Sequence, residues 1–257
     1  MTRLVTRKSR REIETMRRAG RLVAEVLGLV ESALRPGVTA AELDALAEAH
    51  IRRAGGVPSF KDYRLDEKSP PFPGSICVSI DDEVVHGLPD DRIVREGDLV
   101  SIDAGAIVDG WHGDAARTFY VGEPPAEVAA LIETTRVALM AGIAAAVPGA
   151  RIGDISGAVE DVATAAGYGI VEECVGHGIG TSMHEAPDVP NYRTRARGLR
   201  LDPGLCLAIE PMLTLGSPAV GLLSDGWTIV TRDGSLACHF EHTIAITPAG
   251  PEILTTL

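Results

Sequence analysis

The sequence lacks an unbroken run of about 18 apolar residues, the length needed for a membrane-crossing helix. Near its N-terminus there is no apolar segment followed by small residues, so nothing there resembles a secretion signal. These absences lead us to expect a cytoplasmic protein with no membrane partner. Cysteine is scarce: Cys77, Cys174, Cys206 and Cys238 show no Cys-x-x-Cys spacing, which excludes a zinc ribbon and reads as four reduced thiols. Positive charge is the minority sign. The 24 Lys and Arg stand against 36 Asp and Glu, a net charge of -12. Such a surface repels phosphate backbones, so nucleic acid is not expected as a main partner. The one basic cluster is Arg3, Arg7, Lys8, Arg10 and Arg11. It reads as part of an extended, solvated tail over residues 1–8.

What is present is the composition of a globular chain. Apolar residues make up 45% and charged residues 23% of 257 positions, enough to bury a sizeable core. Ser9 to Glu12 forms a capping-box pattern, and Ile13, Met16, Val23, Leu27 and Val30 follow at helical spacing. Pro36-Gly37 should end that helix. Thr39 to Glu42 is a second box, opening a helix that runs to Gly55-Gly56. The segment "RLDEKSPPFPG" predicts irregular surface structure, and "SICVSI" and "DLVSIDAGAIV" predict strands. The second half repeats this order. One helix spans about 126–146 and ends at Pro148-Gly149; another begins near Gly153-Asp154 and ends at Ala166-Gly167. Pro36-Gly37 precedes Ala54-Gly55 by the same count as Pro148-Gly149 precedes Ala166-Gly167. "GDLVSIDAG" also aligns with "GLCLAIEPM", setting Asp103 over Glu210. We therefore expect an α+β chain, one domain over 1–257, with pseudo-twofold symmetry and two helix pairs covering a curved antiparallel sheet.

The chemistry begins with "SIDAGAIVDGWHGDAARTF". An Asp109-Gly110 turn would put Asp103 opposite Ala116. Side chains alternate faces, so Asp114 would be a diagonal neighbour of Asp103 on the same face, about 7–8 Å away. The flanking residues are apolar on both sides, which points to burial. Two carboxylates buried together without a cation repel each other and protonate. From the hairpin alone, hydrated aspartates and a metal pair stay equally open. Further along, "VGHGIGTSMHEAP" carries His177 and His184, "LAIEPM" places Glu210 in an apolar strand, and "HFEHTIAI" does the same to Glu241. One imidazole with four carboxylates suits two ions of the manganese, iron or cobalt kind better than tetrahedral zinc. Asp114 and Glu241 are the sensible bridges between them.

At these motifs, with "VVHGLP", "AIEPM" and "DGWTIVTRDGSLACHFEHTI", the chain resembles the type I methionine aminopeptidases, whose fold is called the pita-bread or creatinase fold. The resemblance runs over nearly the whole length. It implies metal ligands at Asp103, Asp114, His177, Glu210 and Glu241, with Glu210 also the proton carrier. It implies that His184 contacts the scissile carbonyl oxygen and His86 the amide nitrogen of the second residue. Cys77, Met183 and Trp227, with Phe72 and Tyr63 as walls, fall on the pocket for the methionine side chain. The implied reaction is removal of initiator methionine from nascent polypeptides with a small second residue, by a monomer in transient contact with the ribosome. The sequence departs from the family at "RLDEKSPP", where relatives often have a shorter aromatic-glycine stretch. Met183 stands where many have phenylalanine, and His239 where glutamine is frequent. Two other readings remain: an Xaa-Pro peptidase of the same fold, which usually carries an added N-terminal domain, and a non-catalytic binding protein, which would have lost ligands.

Overall fold

The structure is a computed structural model that describes residues 5–64 and 69–257. Of the expected features, Arg3 and the middle of "RLDEKSPPFPG" lie outside the described residues.

Both expected capping boxes form. Ser9 Oγ accepts from the Glu12 amide while the Glu12 carboxylate accepts from the Ser9 amide, opening α1 (Arg10–Ala33). Thr39 and Glu42 repeat this at α2 (Ala40–Arg53). Each box satisfies amides that the first helical turn leaves without partners. The second half supplies α3 (Ala126–Ala145) and α4 (Ile152–Ala166), the latter closed by Gly167 at φ +80. By length and a mean hydropathy of 1.5, α3 could cross a membrane even without an unbroken apolar run. Here it is a core helix, with Leu131, Ala138, Leu139 and Ile143 buried.

The first half holds β1 (Val57–Pro58), β2 (Ile76–Ile80), β3 (Glu83–Val85), β4 (Leu99–Val108) and β5 (Trp111–Tyr120). The second holds β6 (Gly169–Ile170), β7 (Gly176–Gly178), β8 (Glu185–Val189), β9 (Cys206–Ile209) and β10 (Met212–Thr214). It continues with β11 (Val220–Leu222), β12 (Ile229–Thr231), β13 (Ala237–His239), β14 (His242–Thr247) and β15 (Gly250–Ile253). Among the described residues these pair antiparallel in four ladders: β1-β4-β2 with β5 on β4, β13-β10-β6, β11-β12-β3, and β15-β14-β9-β7-β8. The expected curved sheet is thus a set of short ladders. Register breaks at His177/Gly178 in β7 and at Ile229/Val230 in β12 help to turn it.

Each half buries its own core under its helix pair. In the first, Val23, Leu27, Leu43 and Ile51 of the helices meet Val78, Val100 and Ile102. In the second, Leu139, Ile143 and Ile155 meet Leu207, Ile209 and Ile244. Strand β4 starts two residues after Gly97 and β9 two after Gly204, so the aligned segments occupy corresponding places in the two halves. The expectation that Lys8 belongs to a solvated tail fails. Lys8 is buried, because its ammonium meets Glu185 at 2.7 Å and its amide donates to Gly204 O at 2.7 Å.

Candidate active site

The β4–β5 hairpin turns at Asp109 and Gly110, with φ +49 and +80, the left-handed pair that a tight two-residue turn requires. The resulting register sets Asp103 opposite Ala116 and Asp114 opposite Gly105, so both carboxylates share one face as diagonal neighbours. Cys77 lies directly across from Asp103 in the β2–β4 ladder, which adds its thiol to that face.

The other half brings the remaining groups to the same place. His177 pairs with Ala208 of β9, and Glu210 follows β9 directly. Glu241 sits between β13 and β14, where its amide donates to Ala116 O at 2.9 Å. The Thr243 hydroxyl accepts from the Asp114 amide at 3.0 Å and lies 2.8 Å from the Asp114 carbonyl. These bonds seam the two halves together at the site. Ligand atoms of Asp114, His177 and Glu241, all buried, lie within 4.8 Å of one another. Glu210 Oε1 is 3.5 Å from His177 Nε2. The Nδ1 of His177 lies 2.9 Å from Gly178 O. A carbonyl can only accept, so Nδ1 carries the hydrogen and Nε2 presents its lone pair to the carboxylates.

The electrostatics of this cluster are those of anions crowded out of water. Burial pushes Asp103 up to about 7. Burial, and then the neighbouring carboxylates, push Asp114, Glu210 and Glu241 well above the ordinary range. One oxygen each of Asp103, Asp114 and Glu241 is buried with no hydrogen-bond partner. Orphaned buried oxygens of this kind call for a compensating positive charge. Four carboxylates and one imidazole are a donor set for hard to borderline divalent cations, so the residues present fit a metal centre.

Beside it lies a cleft, part enclosed and part open to solvent, lined by apolar and aromatic side chains with a few convergent polar groups, the make-up of a small-ligand site. Phe60, Phe72, Cys77, Met183 and Trp227 form one buried cluster there, with Tyr63 and Leu88 packed against it. Phe72 and Trp227 meet edge to face at 5.2 Å, and His86 stands edge-on to Trp227 at 6.2 Å. His86 has φ +60, a backbone state that few residues other than glycine adopt. This bend carries its ring to the cleft, where burial lowers its pKa to about 4 and keeps it neutral. His184 packs 4.2 Å from the His177 ring, and its Nδ1 is 2.6 Å from the Tyr63 hydroxyl.

All twelve residues singled out from the sequence line this cleft. Three neighbours were not singled out. Phe60 gave no signal, being a lone aromatic in a loop. His112 had one: it lies two residues before Asp114 and so faces the same way along β5. It is buried, bonded to Ser59 Oγ at 3.0 Å, and burial lowers its pKa to about 4. His239, noted only as a departure, is buried with Nε2 3.7 Å from Glu210 Oε2, too long for a hydrogen bond.

A model of metallopeptidase family M24 matches residues 14–248. The chain belongs to this family. Among M24 relatives, the methionine aminopeptidase of Clostridium acetobutylicum is 50% identical over 249 residues, covering 96% of this chain and 97% of its own. The crystal structure of methionine aminopeptidase from Thermotoga maritima superposes with a TM-score of 0.94 at 41% identity, covering 99% of this chain and 100% of that one. A prolidase from Pyrococcus furiosus shares the fold alone, with a TM-score of 0.79 at 23% identity, over 98% of this chain and 65% of its own. The resemblance read from the motifs and the pita-bread fold are thereby borne out, and the chain is a metallopeptidase.

Proposed function

We propose that this M24 chain is a methionine aminopeptidase that removes the initiator methionine from nascent polypeptides when the second residue is small. The observation that carries this reading is the convergence of Asp103, Asp114, His177, Glu210 and Glu241 beside a sulfur-and-aromatic pocket. On this reading those five side chains would hold two divalent ions, of manganese, iron or cobalt. When bound, such ions neutralise the carboxylates, acidify water and polarise a carbonyl oxygen.

The remaining steps fall to this chain's own groups. Glu210 takes the proton of the attacking water and passes it to the departing amine. His184 donates from Nε2 to the carbonyl oxygen as negative charge builds there. A Tyr63 hydroxyl donating to Nδ1, across the observed 2.6 Å, would hold His184 in the tautomer that can do so. His86, neutral through burial, hydrogen-bonds the amide nitrogen of the second residue. Phe72, Cys77, Met183 and Trp227, with Tyr63 at the edge, receive the methionine side chain, whose polarizable thioether packs well on sulfur and aromatic edges. We further read the chain as cytoplasmic and monomeric, without nucleic acid or membrane as main partner.

The test is an assay on Met-Ala-Ser and on an Xaa-Pro peptide after metal removal and after its return. Cleavage of Met-Ala-Ser alone, restored by manganese, iron or cobalt, is the expected result. Preference for the Xaa-Pro peptide would move the chain to the prolidase branch of the fold. Inactivity on both would leave a binding protein.

A further inference from the structure

Residues 5–8 have no part in the reaction above, yet they lie against the loop that carries two of its residues. Val5 bridges Ala186, and the Lys8 amide donates to Gly204 O at 2.7 Å. From this segment the Lys8 ammonium and the Thr6 hydroxyl both donate to Glu185 Oε2, at 2.7 and 2.6 Å. The second oxygen of the same carboxylate accepts the Thr181 amide at 3.0 Å and lies 3.4 Å from the Ser182 amide. Glu185 therefore grips its own loop with one oxygen and the N-terminal segment with the other. Burial works against its ionised form, but the bonds from Lys8 and Thr6 prevail and hold its carboxyl below the usual range.

What this grip encloses is specific. Met183 and His184 lie between the gripped amides and Glu185 itself. The fit is close: a Cβ on Gly180 would sit 2.4 Å from Glu185 Oε1 and 2.6 Å from Lys8 Cε. The Lys8 and Glu185 side chains are only 3% and 7% exposed. A pair so deeply buried is a poor source of net stability, because desolvation of both charges offsets their attraction. Fixing geometry is the better-attested use of such a pair, and the geometry within reach is that of the His184 loop.

We infer that Lys8 and Thr6 act through Glu185 as positioning residues for His184, so that the N-terminal segment governs how well the developing oxyanion is stabilised. The inference rests on the role proposed for His184. Its test is steady-state kinetics on Met-Ala-Ser with the metal-loaded full chain, for Lys8→Met and Thr6→Val, each in the native and the His184→Ala background. Thermal melting identifies variants folded at the assay temperature. Displacement of a catalytic group by about 1 Å lowers rates by up to about 100-fold. We expect kcat to fall about 10- to 100-fold in Lys8→Met and about 3- to 10-fold in Thr6→Val, with KM within about twofold. In the His184→Ala background neither substitution should lower kcat further, since the group they position is gone.

Folded variants with unchanged kcat would overturn the inference, as would losses that multiply with that of His184→Ala. Should Lys8→Met fail to fold, because it strands the Glu185 charge, Thr6→Val decides alone. A parent chain unable to cleave Met-Ala-Ser would sink the aminopeptidase reading and this inference with it. An active parent with unaffected variants would sink this inference only.

Discussion

At Asp103, burial and hydrogen bonding act in opposite directions, and burial prevails, leaving the carboxyl near 7 when no cation neutralises it. The folded chain then holds protons that the unfolded chain, with a carboxylate near its ordinary value of about 4, has released. Stability from this group is fully present below about pH 4 and is lost as pH rises through about 7. Asp114, Glu210 and Glu241 act in the same direction. The buried histidines His86, His112, His239 and His242, held at about 3 to 4, act the other way below about pH 6.5, where unfolded imidazoles take up protons. Above it the carboxylates decide, and chelator-treated protein should melt lower at pH 8.5 than at pH 7 by calorimetry. A melting temperature that rises over this interval would contradict the buried cluster. Glu210→Gln should lower kcat by at least about 100-fold, the usual range for loss of a proton carrier. The metal-free variant should melt no lower than the parent, since one repelling carboxylate is gone. Full turnover would remove Glu210 from proton transfer. His86→Ala should slow Met-Ala-Ser cleavage about 10-fold or more, measured as kcat/KM, and an unchanged value would exclude the proposed contact. Glu210 and Glu241 were legible as candidates because a lone carboxylate in an apolar strand is costly unless compensated. Phe60 was not, because its place depends on where a loop folds back.

Among the elements, those set by local chemistry were the ones the sequence disclosed. The boxes at Ser9 and Thr39 and the Asp109-Gly110 turn are encoded within a few residues, and each forms as read. Helix α4 begins one residue before the expected Gly153, within the usual latitude of helix ends. Thr39→Ala should destabilise the chain by about 1 kcal/mol through loss of the α2 cap, read by urea denaturation. Gly113 poses a tighter constraint. A Cβ there would lie 2.6 Å from the Gly20 amide nitrogen and 2.8 Å from the Ala19 carbonyl carbon, backbone atoms that cannot rotate aside. Gly113→Ala should therefore force α1 off β5 and destabilise by about 1–3 kcal/mol, as overpacking does. A change under about 0.5 kcal/mol in the same denaturation experiment would mean that the helix yields freely. The close approach of α1 to β5 left no mark that a single sequence could show, since glycine serves turns as readily as contacts.

For the molecule as a whole, the site is a seam. Asp103 and Asp114 come from the first half, His177, Glu210 and Glu241 from the second, and the bonds between Glu241 and Ala116 and between Thr243 and Asp114 close the join. A cation that binds this seam in the folded chain alone should stabilise both halves together, by about 2.7 kcal/mol at a hundredfold excess over its dissociation constant. Manganese or cobalt added at pH 8 should raise the melting temperature of the stripped protein in one cooperative transition. Two separate transitions, or none shifted, would deny that the metal ties the halves.

The sequence by itself determined the helices, the hairpin register, the repeat of one half in the other and which carboxylates and imidazole were candidates to meet in one buried cluster. Each of these is written in local spacing or in the cost of an uncompensated buried charge. Only the tertiary structure decided that Lys8 is buried rather than solvated, that Phe60 borders the cleft, and that the N-terminal segment grips the His184 loop. These depend on which distant surfaces come to rest against one another, and the energy of such contacts belongs to pairs of segments, leaving no periodic trace in either one.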